Sequence, residues 1–196
     1  MNQLRKTDLI LIGGSSGAVE AVMKIISKLD KRFTIPIVVV LHQERKSRNL
    51  MVDILQHRTK LKVKEPLDKE LILTKHIYIA PPDFHLLIEP DFSFGYSFSE
   101  PVNFSRPAID VLFESAADSL KENVTGILLT GANNDGARGM CRIKKMGGYA
   151  IIQDPLEAEF PVMPKSASDL CAIDLTLKIA DISKELNNTN YGRNTE

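Results

Sequence analysis

The sequence is poor in cysteine and carries no excess charge of either sign, and these shortages exclude several classes of protein. Its only two cysteines, Cys141 and Cys171, form no C-x-x-C motif and lie in helix-like patterns, so we expect buried, reduced thiols. Lysine and arginine total 25, and aspartate and glutamate also total 25, which leaves no net charge to attract nucleic acid or a membrane surface. The four histidines lack the paired spacing of metal ligands. We therefore expect no metal, no cofactor and no nucleic-acid partner.

Long apolar runs are also missing. The N-terminal residues before the first apolar run are polar and too few for a signal peptide, and that run is far too short to span a membrane. These features predict a cytoplasmic protein without membrane insertion. Because 43% of the 196 residues are hydrophobic, we expect one domain over residues 1–196, with its core at 8–186 and a polar, frayed tail at 187–196.

A glycine-rich turn near the N-terminus is the most informative stretch of the chain. An apolar run, Asp8–Ile12, stops at two glycines, and Gly13–Gly17 then fits the G-x-S-x-G pattern of a serine-hydrolase elbow. Such a turn from strand to helix exposes the hydroxyl of Ser15 and places free helix N–H groups where an oxyanion would form. A plain strand-to-helix turn would use the same glycines for backbone freedom, so other parts of the chain must decide.

The rest of the pattern alternates strands and helices at both ends of the chain. Continuous apolar runs at Ile37–Leu41 and Val124–Thr130 are typical of strands buried on both faces of a parallel sheet. Apolar residues at helical spacing lie between such runs, as in the stripe from Val19 to Leu29. We therefore predict an α/β fold: a doubly wound, mostly parallel sheet with helices on both faces. Further helices are expected at Asn49–Gln56, Met163–Cys171 and Ile179–Leu186.

The middle of the chain has a different character. Phe92–Ser99 alternates aromatic with small polar residues, which is typical of a half-exposed strand. We interpret the whole block as a small antiparallel extension, either hairpins at the sheet edge or a flap beside it. Its short extended pieces, which prolines separate, are Lys60–Lys64, Ile72–Thr74, His76–Ala80 and His85–Glu89.

Three chemically complementary side chains follow predicted strands. Ser15 follows the first strand, His42 directly follows the second, and Asp135 lies in the glycine-rich loop after a later one. The carboxyl ends of parallel strands share one sheet edge, so these groups could act as nucleophile, general base and orienting carboxylate. Each also has a structural interpretation: His42 as a hydrogen-bonded structural residue, and Asp135 as a turn residue or the cap of the helix that follows it.

The sequence offers two other arrangements. Asp83 and His85 could serve Ser15 in the order Ser…Asp…His, although both come from a proline-rich loop. Residues 12–18 also resemble the glycine turn of a dinucleotide site. That fingerprint requires an acidic residue at the end of the second strand, where this chain has His42, and this counts against NAD.

Several motifs follow one another along the chain: Ile12–Gly17 with Glu20-Ala21, His42, Tyr78–Pro81, Ser105–Phe113, Leu129–Ala137 and Met163-Pro164. Together they resemble the motifs of one known family, the catalytic domain of CheB-type chemotaxis methylesterases, in which they occur in the same order. The resemblance runs from about Leu9 to Ile179.

The resemblance implies an enzyme that hydrolyses methyl esters of glutamate side chains on the cytoplasmic helices of chemoreceptors, releases methanol and can deamidate glutamine. It maps the family triad onto Ser15, His42 and Asp135, the order already reached from the strands. It further implies an oxyanion hole at the backbone N–H groups near Ser16 and Ala132. Arg106 and Asn134 would shape the pocket or its loops.

The sequence departs from the family pattern at three points. It has no room for the usual receiver domain before the esterase. Three alternatives follow: a partner, such as a separate response regulator or kinase, controls the enzyme; the enzyme is always active; or its role lies outside chemotaxis. A family loop that contains proline is replaced by Gln43–Lys46, and Ala132 stands where a larger residue is common. The alternative function is a binding module of the same fold that docks receptor helices or a signalling partner without turnover.

Overall fold

The structure of the protein is a computed structural model that describes residues 6–42 and 50–191. Its strands are β1 (Lys6–Thr7), β2 (Leu9–Gly14), β3 (Ile37–Leu41), β4 (Lys62–Lys64), β5 (His76–Ile79), β6 (His85–Ile88), β7 (Phe94–Ser97), β8 (Val124–Leu128), β9 (Tyr149–Gln153), β10 (Leu175–Leu177) and β11 (Asn190–Tyr191). Its helices are α1 (Ala18–Ile26), α2 (Leu50–Gln56), α3 (Ile109–Leu120), α4 (Ala137–Lys145), α5 (Val162–Leu170) and α6 (Ile179–Asn188).

A seven-stranded sheet, parallel throughout, forms the centre of the molecule. Its strand order is β10-β9-β8-β2-β3-β5-β4. The chain builds outward from β2 in one direction through β3 and later returns to build through β8 in the other. Strand order therefore reverses between β2 and β8, and in such sheets a crevice for ligands opens at the carboxyl ends of the strands on either side of the reversal.

Helices cover both faces of this sheet and close two apolar cores. On one face, α3, α4 and α5 supply Phe113, Met140 and Met163, each fully shielded from solvent, to one core. On the other, α1 and α6 contribute Ile25 and Ile182. The predicted doubly wound α/β fold is confirmed, as are the helices expected at Met163–Cys171 and Ile179–Leu186.

The middle block divides between the main sheet and a separate hairpin. Strands β6 and β7 pair antiparallel, as predicted for the extension. The interpretation was wrong for β4 and β5, which join the edge of the main parallel sheet. Ile77, Tyr78 and Ile79 are consecutive buried residues, the pattern of a strand covered on both faces, but the strand is too short for that pattern to stand out beside the prolines.

The expected fraying does not begin at residue 187. Asn187 and Asn188 continue α6, and β11 then pairs in parallel with β1 as a separate two-stranded sheet. The edge strand β10 was also missed, because its three residues are only partly buried and carry no clear apolar pattern. The departure at Gln43–Lys46 lies outside the described residues. Over the described part of the chain, no helix has the length and apolar character needed to cross a bilayer.

The prediction of two buried, reduced thiols was wrong. Cys141 on α4 and Cys171, directly after α5, form a disulfide. Both residues are half-buried, and the packing of α4 against α5 brings their Cα atoms to 5.7 Å. That separation lies within the usual range for a disulfide. The pairing depends on tertiary packing between two helices, so neither local pattern could have predicted it.

Candidate active site

Ser15 lies on a tight turn between β2 and α1. Its N–H donates to the carbonyl of Thr130 at 3.0 Å, and its carbonyl accepts from the N–H of Ala18 at 3.0 Å. Position 14 needs glycine for steric reasons, because a Cβ there would lie 2.4 Å from the Cβ of Ala18. Gly17, which precedes α1, has φ +78°, a conformation that glycine adopts without strain. The sequence thus folds into the predicted elbow, with its left-handed residue two positions after the serine.

His42 lies beside this turn because β2 and β3 are neighbours in register. Gly14 is opposite Leu41, so Ser15 and His42 are the first residues beyond the ends of two adjacent parallel strands. The N–H of His42 extends the ladder by donating to the carbonyl of Gly14 at 3.3 Å. The imidazole Nε2 lies 2.8 Å from Oδ2 of Asp135, and the histidine side chain is 13% exposed. The predicted pair of imidazole and carboxylate therefore forms at the carboxyl edge of the sheet.

Asp135 is fully buried and is surrounded by donors. Besides His42, its carboxylate accepts from the backbone N–H of Ile109 at 2.7 Å and of Asp110 at 3.0 Å, and from Nδ2 of Asn103 at 3.2 Å. Burial raises the pKa of Asp135, but the hydrogen bonds from His42, Ile109 and Asp110 outweigh burial and hold its pKa below the ordinary aspartate value. The carboxylate is thus kept ionised beside the imidazole.

The structural interpretation of Asp135 as a cap of the next helix was wrong in one respect. The helix that follows it, α4, begins after Gly136, and the side chain that accepts from its first turn is Asp110, whose Oδ1 takes the N–H of Gly139 at 2.8 Å. Asp135 instead satisfies the first N–H groups of α3, which comes 26 residues earlier in the chain. One carboxylate therefore combines a capping role with its contact to His42.

The second imidazole nitrogen faces two donors that the sequence analysis missed. Because Nε2 lies against an ionised carboxylate, it carries the proton of the neutral ring, and Nδ1 is left as the acceptor. The hydroxyl of Ser105 and Nδ2 of Asn133 both lie 3.4 Å from Nδ1. Asn133 is oriented by its Oδ1, which accepts from the N–H of Asp135 at 3.1 Å. The Asn-Asn-Asp run was a possible signal for this turn, whereas nothing local marked Ser105.

The residues predicted for the oxyanion hole and the pocket have different surroundings in the structure. Ser16 and Ala132 are exposed, and among the described residues neither of their N–H groups has a hydrogen-bond acceptor. Asn134 is exposed and borders a cavity of about 310 Å³ beside Asn103 and Asp110. The Nη1 atom of Arg106 donates to the carbonyls of Phe98 and Ser99 at 3.2 and 3.0 Å. Arg106 therefore shapes a neighbouring loop in this structure.

His85 has a structural role. It is fully buried: its Nδ1 accepts from the N–H of Ala108 at 3.2 Å, and its Nε2 lies 3.1 Å from the carbonyl of Glu100. Both ring nitrogens are thus committed to backbone groups, which leaves neither free to serve Ser15. The alternative base suggested by the order Ser…Asp…His does not fit this geometry.

Four apolar side chains on segments that adjoin the site residues are exposed. Phe104, beside Ser105, is fully exposed, and Phe98 is 74% exposed on the loop that Arg106 holds. The carbonyl of Phe160, whose side chain is also exposed, accepts from the N–H of Gly131, and the exposed Leu170 borders the cavity near Asn103. Exposed large apolar side chains close together on a surface are typical of sites that bind another protein. We refer to these four residues as the apolar rim.

The fold and the site define a class of protein: a doubly wound α/β domain with an imidazole–carboxylate pair beside a serine turn at the strand-order reversal. The family model described as CheB methylesterase matches residues 10–186, and the chain belongs to this family. The resemblance stated from the motifs is confirmed.

Individual relatives agree with this assignment. A protein of Leptospira interrogans is 44% identical over 177 residues, which cover 90% of this chain and 92% of the relative; its name gives protein-glutamate methylesterase/protein-glutamine glutaminase as a provisional assignment. A Carboxydothermus hydrogenoformans protein named protein-glutamate methylesterase/protein-glutamine glutaminase 1 is 35% identical, over 91% of this chain and 54% of its own length. The crystal structure of the Thermotoga maritima CheB methylesterase catalytic domain superimposes with a TM-score of 0.88 at 32% identity, over 93% of this chain and 98% of that one.

Proposed function

We propose that this protein is a serine hydrolase that removes methyl esters from glutamate side chains of chemoreceptors and releases methanol. The observation that carries the proposal is the 2.8 Å contact between His42 and Asp135 at the strand end next to Ser15. Membership of the family and the names of the relatives support the same reaction. Deamidation of glutamine on the same proteins is the second reaction that those names support.

The first half of the reaction uses the hydroxyl of Ser15 as nucleophile. The oxygen forms a bond to the ester carbonyl carbon, and the carbonyl electron pair moves onto its oxygen. The proton of the hydroxyl passes to Nδ1 of His42, because Nε2 already faces Asp135. The carboxylate of Asp135 stabilises the resulting imidazolium, a role that its lowered pKa suits.

The second half releases methanol and restores the enzyme. The N–H groups of Ser16 and Ala132 would stabilise the oxyanion, since neither has another acceptor within the described residues. As the bond from carbon to the methoxy oxygen breaks, the imidazolium returns its proton to that oxygen. Water then attacks the acyl-enzyme with His42 again as base, which frees the glutamate carboxylate and the Ser15 hydroxyl.

The substrate in this proposal is a side chain on a folded protein. The apolar rim supports it, because such a surface suits contact with a protein helix better than contact with a small polar ester. The partners would be the cytoplasmic helices of methylated chemoreceptors, with a separate response regulator or kinase as a possible source of control. The site of action would then be the cytoplasm, where the Cys141–Cys171 disulfide would face reducing conditions.

Methanol release from a methylated receptor cytoplasmic fragment tests the proposal. We expect time-dependent methanol that is proportional to enzyme concentration, and an increase in free glutamate at the methylated positions by mass spectrometry. The alternative function, a binding module, predicts co-sedimentation with receptor and no methanol above the uncatalysed rate. In the structure, Nδ1 of His42 lies near Ser105 and Asn133, a geometry that both functions allow, because catalytic hydrogen bonds often tighten only with substrate.

A further inference from the structure

We propose that Ser105 is a positioning residue for the base: its hydroxyl donates to Nδ1 of His42 before substrate binds and holds the imidazole lone pair toward the crevice. This inference rests on the proposed function, since it assigns His42 as the base. It adds a fourth side chain, from a separate loop, to the predicted serine, histidine and aspartate.

The position of the proton on the imidazole ring determines which nitrogen of His42 can act as the base. Nε2 is fixed as a donor by its contact of 2.8 Å with the buried Asp135. Nδ1 is therefore an acceptor, and it is the nitrogen that must take the Ser15 proton. Asp135 contacts only one edge of the imidazole, so the groups at Nδ1, the hydroxyl of Ser105 and Nδ2 of Asn133, oppose turning of the ring while no substrate is present.

The hydroxyl of Ser105 lies where it can make a weak hydrogen bond to Nδ1. Ser105 Oγ lies 3.4 Å from Nδ1, and its other acceptor is the carbonyl of Asn103 at 3.5 Å. Both contacts are long, so the hydroxyl can leave Nδ1 at little cost when the Ser15 hydroxyl approaches. A shorter and stronger bond would compete with the transfer from Ser15 and slow it.

The loop that contains Ser105 is fixed by backbone and side-chain hydrogen bonds. Val102 and Ser105 exchange two backbone hydrogen bonds of 3.1 and 2.9 Å, which close a tight turn. Within that turn Asn103 and Phe104 adopt φ angles of +51° and +61°, conformations that non-glycine residues rarely take. The Nδ2 atom of Asn103 also reaches Asp135 at 3.2 Å and Asp110 at 3.1 Å. The turn is therefore bonded to both members of the imidazole–carboxylate pair.

The test compares Ser105→Ala, Ser105→Thr and a matched control, Ser168→Ala. Ser168 is exposed on α5, and among the described residues its hydroxyl bonds only the carbonyl of Lys165 within its own helix. For methanol release from methylated receptor fragment, Ser105→Ala should lower kcat roughly three- to tenfold, the loss expected for one weak neutral hydrogen bond, with KM unchanged. Ser105→Thr should recover most of the loss, and Ser168→Ala should match the wild type.

A spectroscopic measurement that needs no turnover separates this inference from the proposed function. The ¹⁵N resonance of His42 Nδ1 should shift in Ser105→Ala, because the nitrogen loses a donor, and should stay unchanged in Ser168→Ala. An unchanged resonance together with wild-type kcat would overturn the role of Ser105 and leave the proposed function intact. Complete loss of activity in Ser105→Ala, together with attachment of a fluorophosphonate probe to Ser105 in the wild type, would also overturn it, since Ser105 would then be the nucleophile. Absence of methanol from the wild type would refute the function, while the resonance would still report the contact.

Discussion

One carboxylate oxygen of Asp135 contacts both the imidazole of His42 and the first N–H group of helix α3. Oδ2 of Asp135 lies 2.8 Å from Nε2 of His42 and also accepts from the N–H of Ile109 at 2.7 Å. The orientation of the base is therefore tied to the first turn of α3, whose inner face packs in the core with Leu112 and Phe113. Rigid placement of the base follows from this link, because the carboxylate cannot rotate without breaking a helix cap.

Asp135→Asn should impair both activity and stability. An amide at this position cannot accept from all four donors, so the ring of His42 loses its fixed tautomer and α3 loses part of its cap. We expect kcat to fall by about 10³- to 10⁴-fold and the free energy of unfolding by about 1–3 kcal/mol. Methanol release and urea denaturation measure the two effects. The control is Asp118→Asn, which removes an exposed ion pair with Arg142. It should change the free energy of unfolding by less than about 1 kcal/mol and leave kcat unchanged. Equal effects of Asp118→Asn and Asp135→Asn would contradict the role assigned to Asp135.

The stability contributed by Asp135 should depend on pH with a definite sign. Its pKa is lower in the folded protein than in the unfolded chain, so its contribution is fully present above the unfolded value of about 3.9 and is lost as pH falls through the lower, folded value. Burial and the nearby charge of Asp135 raise the pKa of Asp110, which therefore acts in the opposite direction. The difference in unfolding free energy between wild type and Asp135→Asn isolates the first group. This difference should shrink below about pH 4; a difference that grows on acidification would show that Asp135 is not a stabilised carboxylate.

Phe104→Ala should separate a protein substrate from a small ester. Phe104 is fully exposed and makes no contribution to the core, so its removal should leave the fold unchanged. We expect KM for methylated receptor fragment to rise roughly tenfold, as for truncation of an aromatic anchor at an interface. Hydrolysis of a small methyl ester should be unaffected. The control is Leu73→Ala, because Leu73 is 50% exposed near the start of β5, at the opposite sheet edge. If Phe104→Ala and Leu73→Ala have the same effect on receptor turnover, the apolar rim does not bind substrate.

Gly14→Ala should displace the elbow. Its new Cβ would lie 2.4 Å from the Cβ of Ala18, so strand β2 and helix α1 would have to move apart at the turn that carries Ser15. We expect kcat to fall at least tenfold and the protein to lose about 1–3 kcal/mol of stability. Gly95→Ala is the matched control, since its Cβ would meet only the flexible end of Glu89. Wild-type kcat in Gly14→Ala would show that the position of the turn is unimportant for catalysis.

The proximity of Ser15 and His42 could be predicted from the sequence, because adjacent parallel strands end side by side at one edge of the sheet. Ser15 and His42 could be placed together from two apolar runs and the rule that parallel strands end at one edge. The contacts of Asn103 and Ser105 could not, since they depend on two left-handed residues in a loop without glycine. The Cys141–Cys171 pair escaped prediction for a similar reason: the two residues meet only through the packing of α4 on α5.

The most direct test of the account is the comparison of Ser15→Ala with the wild type. Ser15 is half-buried on a turn whose backbone bonds do not involve its hydroxyl, so the variant should keep the wild-type melting temperature. Methanol release should fall by about 10³-fold or more, because nucleophile, base and carboxylate act as a unit. A fluorophosphonate probe should label Ser15 in the wild type and nothing in the variant. Full esterase activity in a folded Ser15→Ala protein would contradict the central claim that this hydroxyl forms the acyl-enzyme.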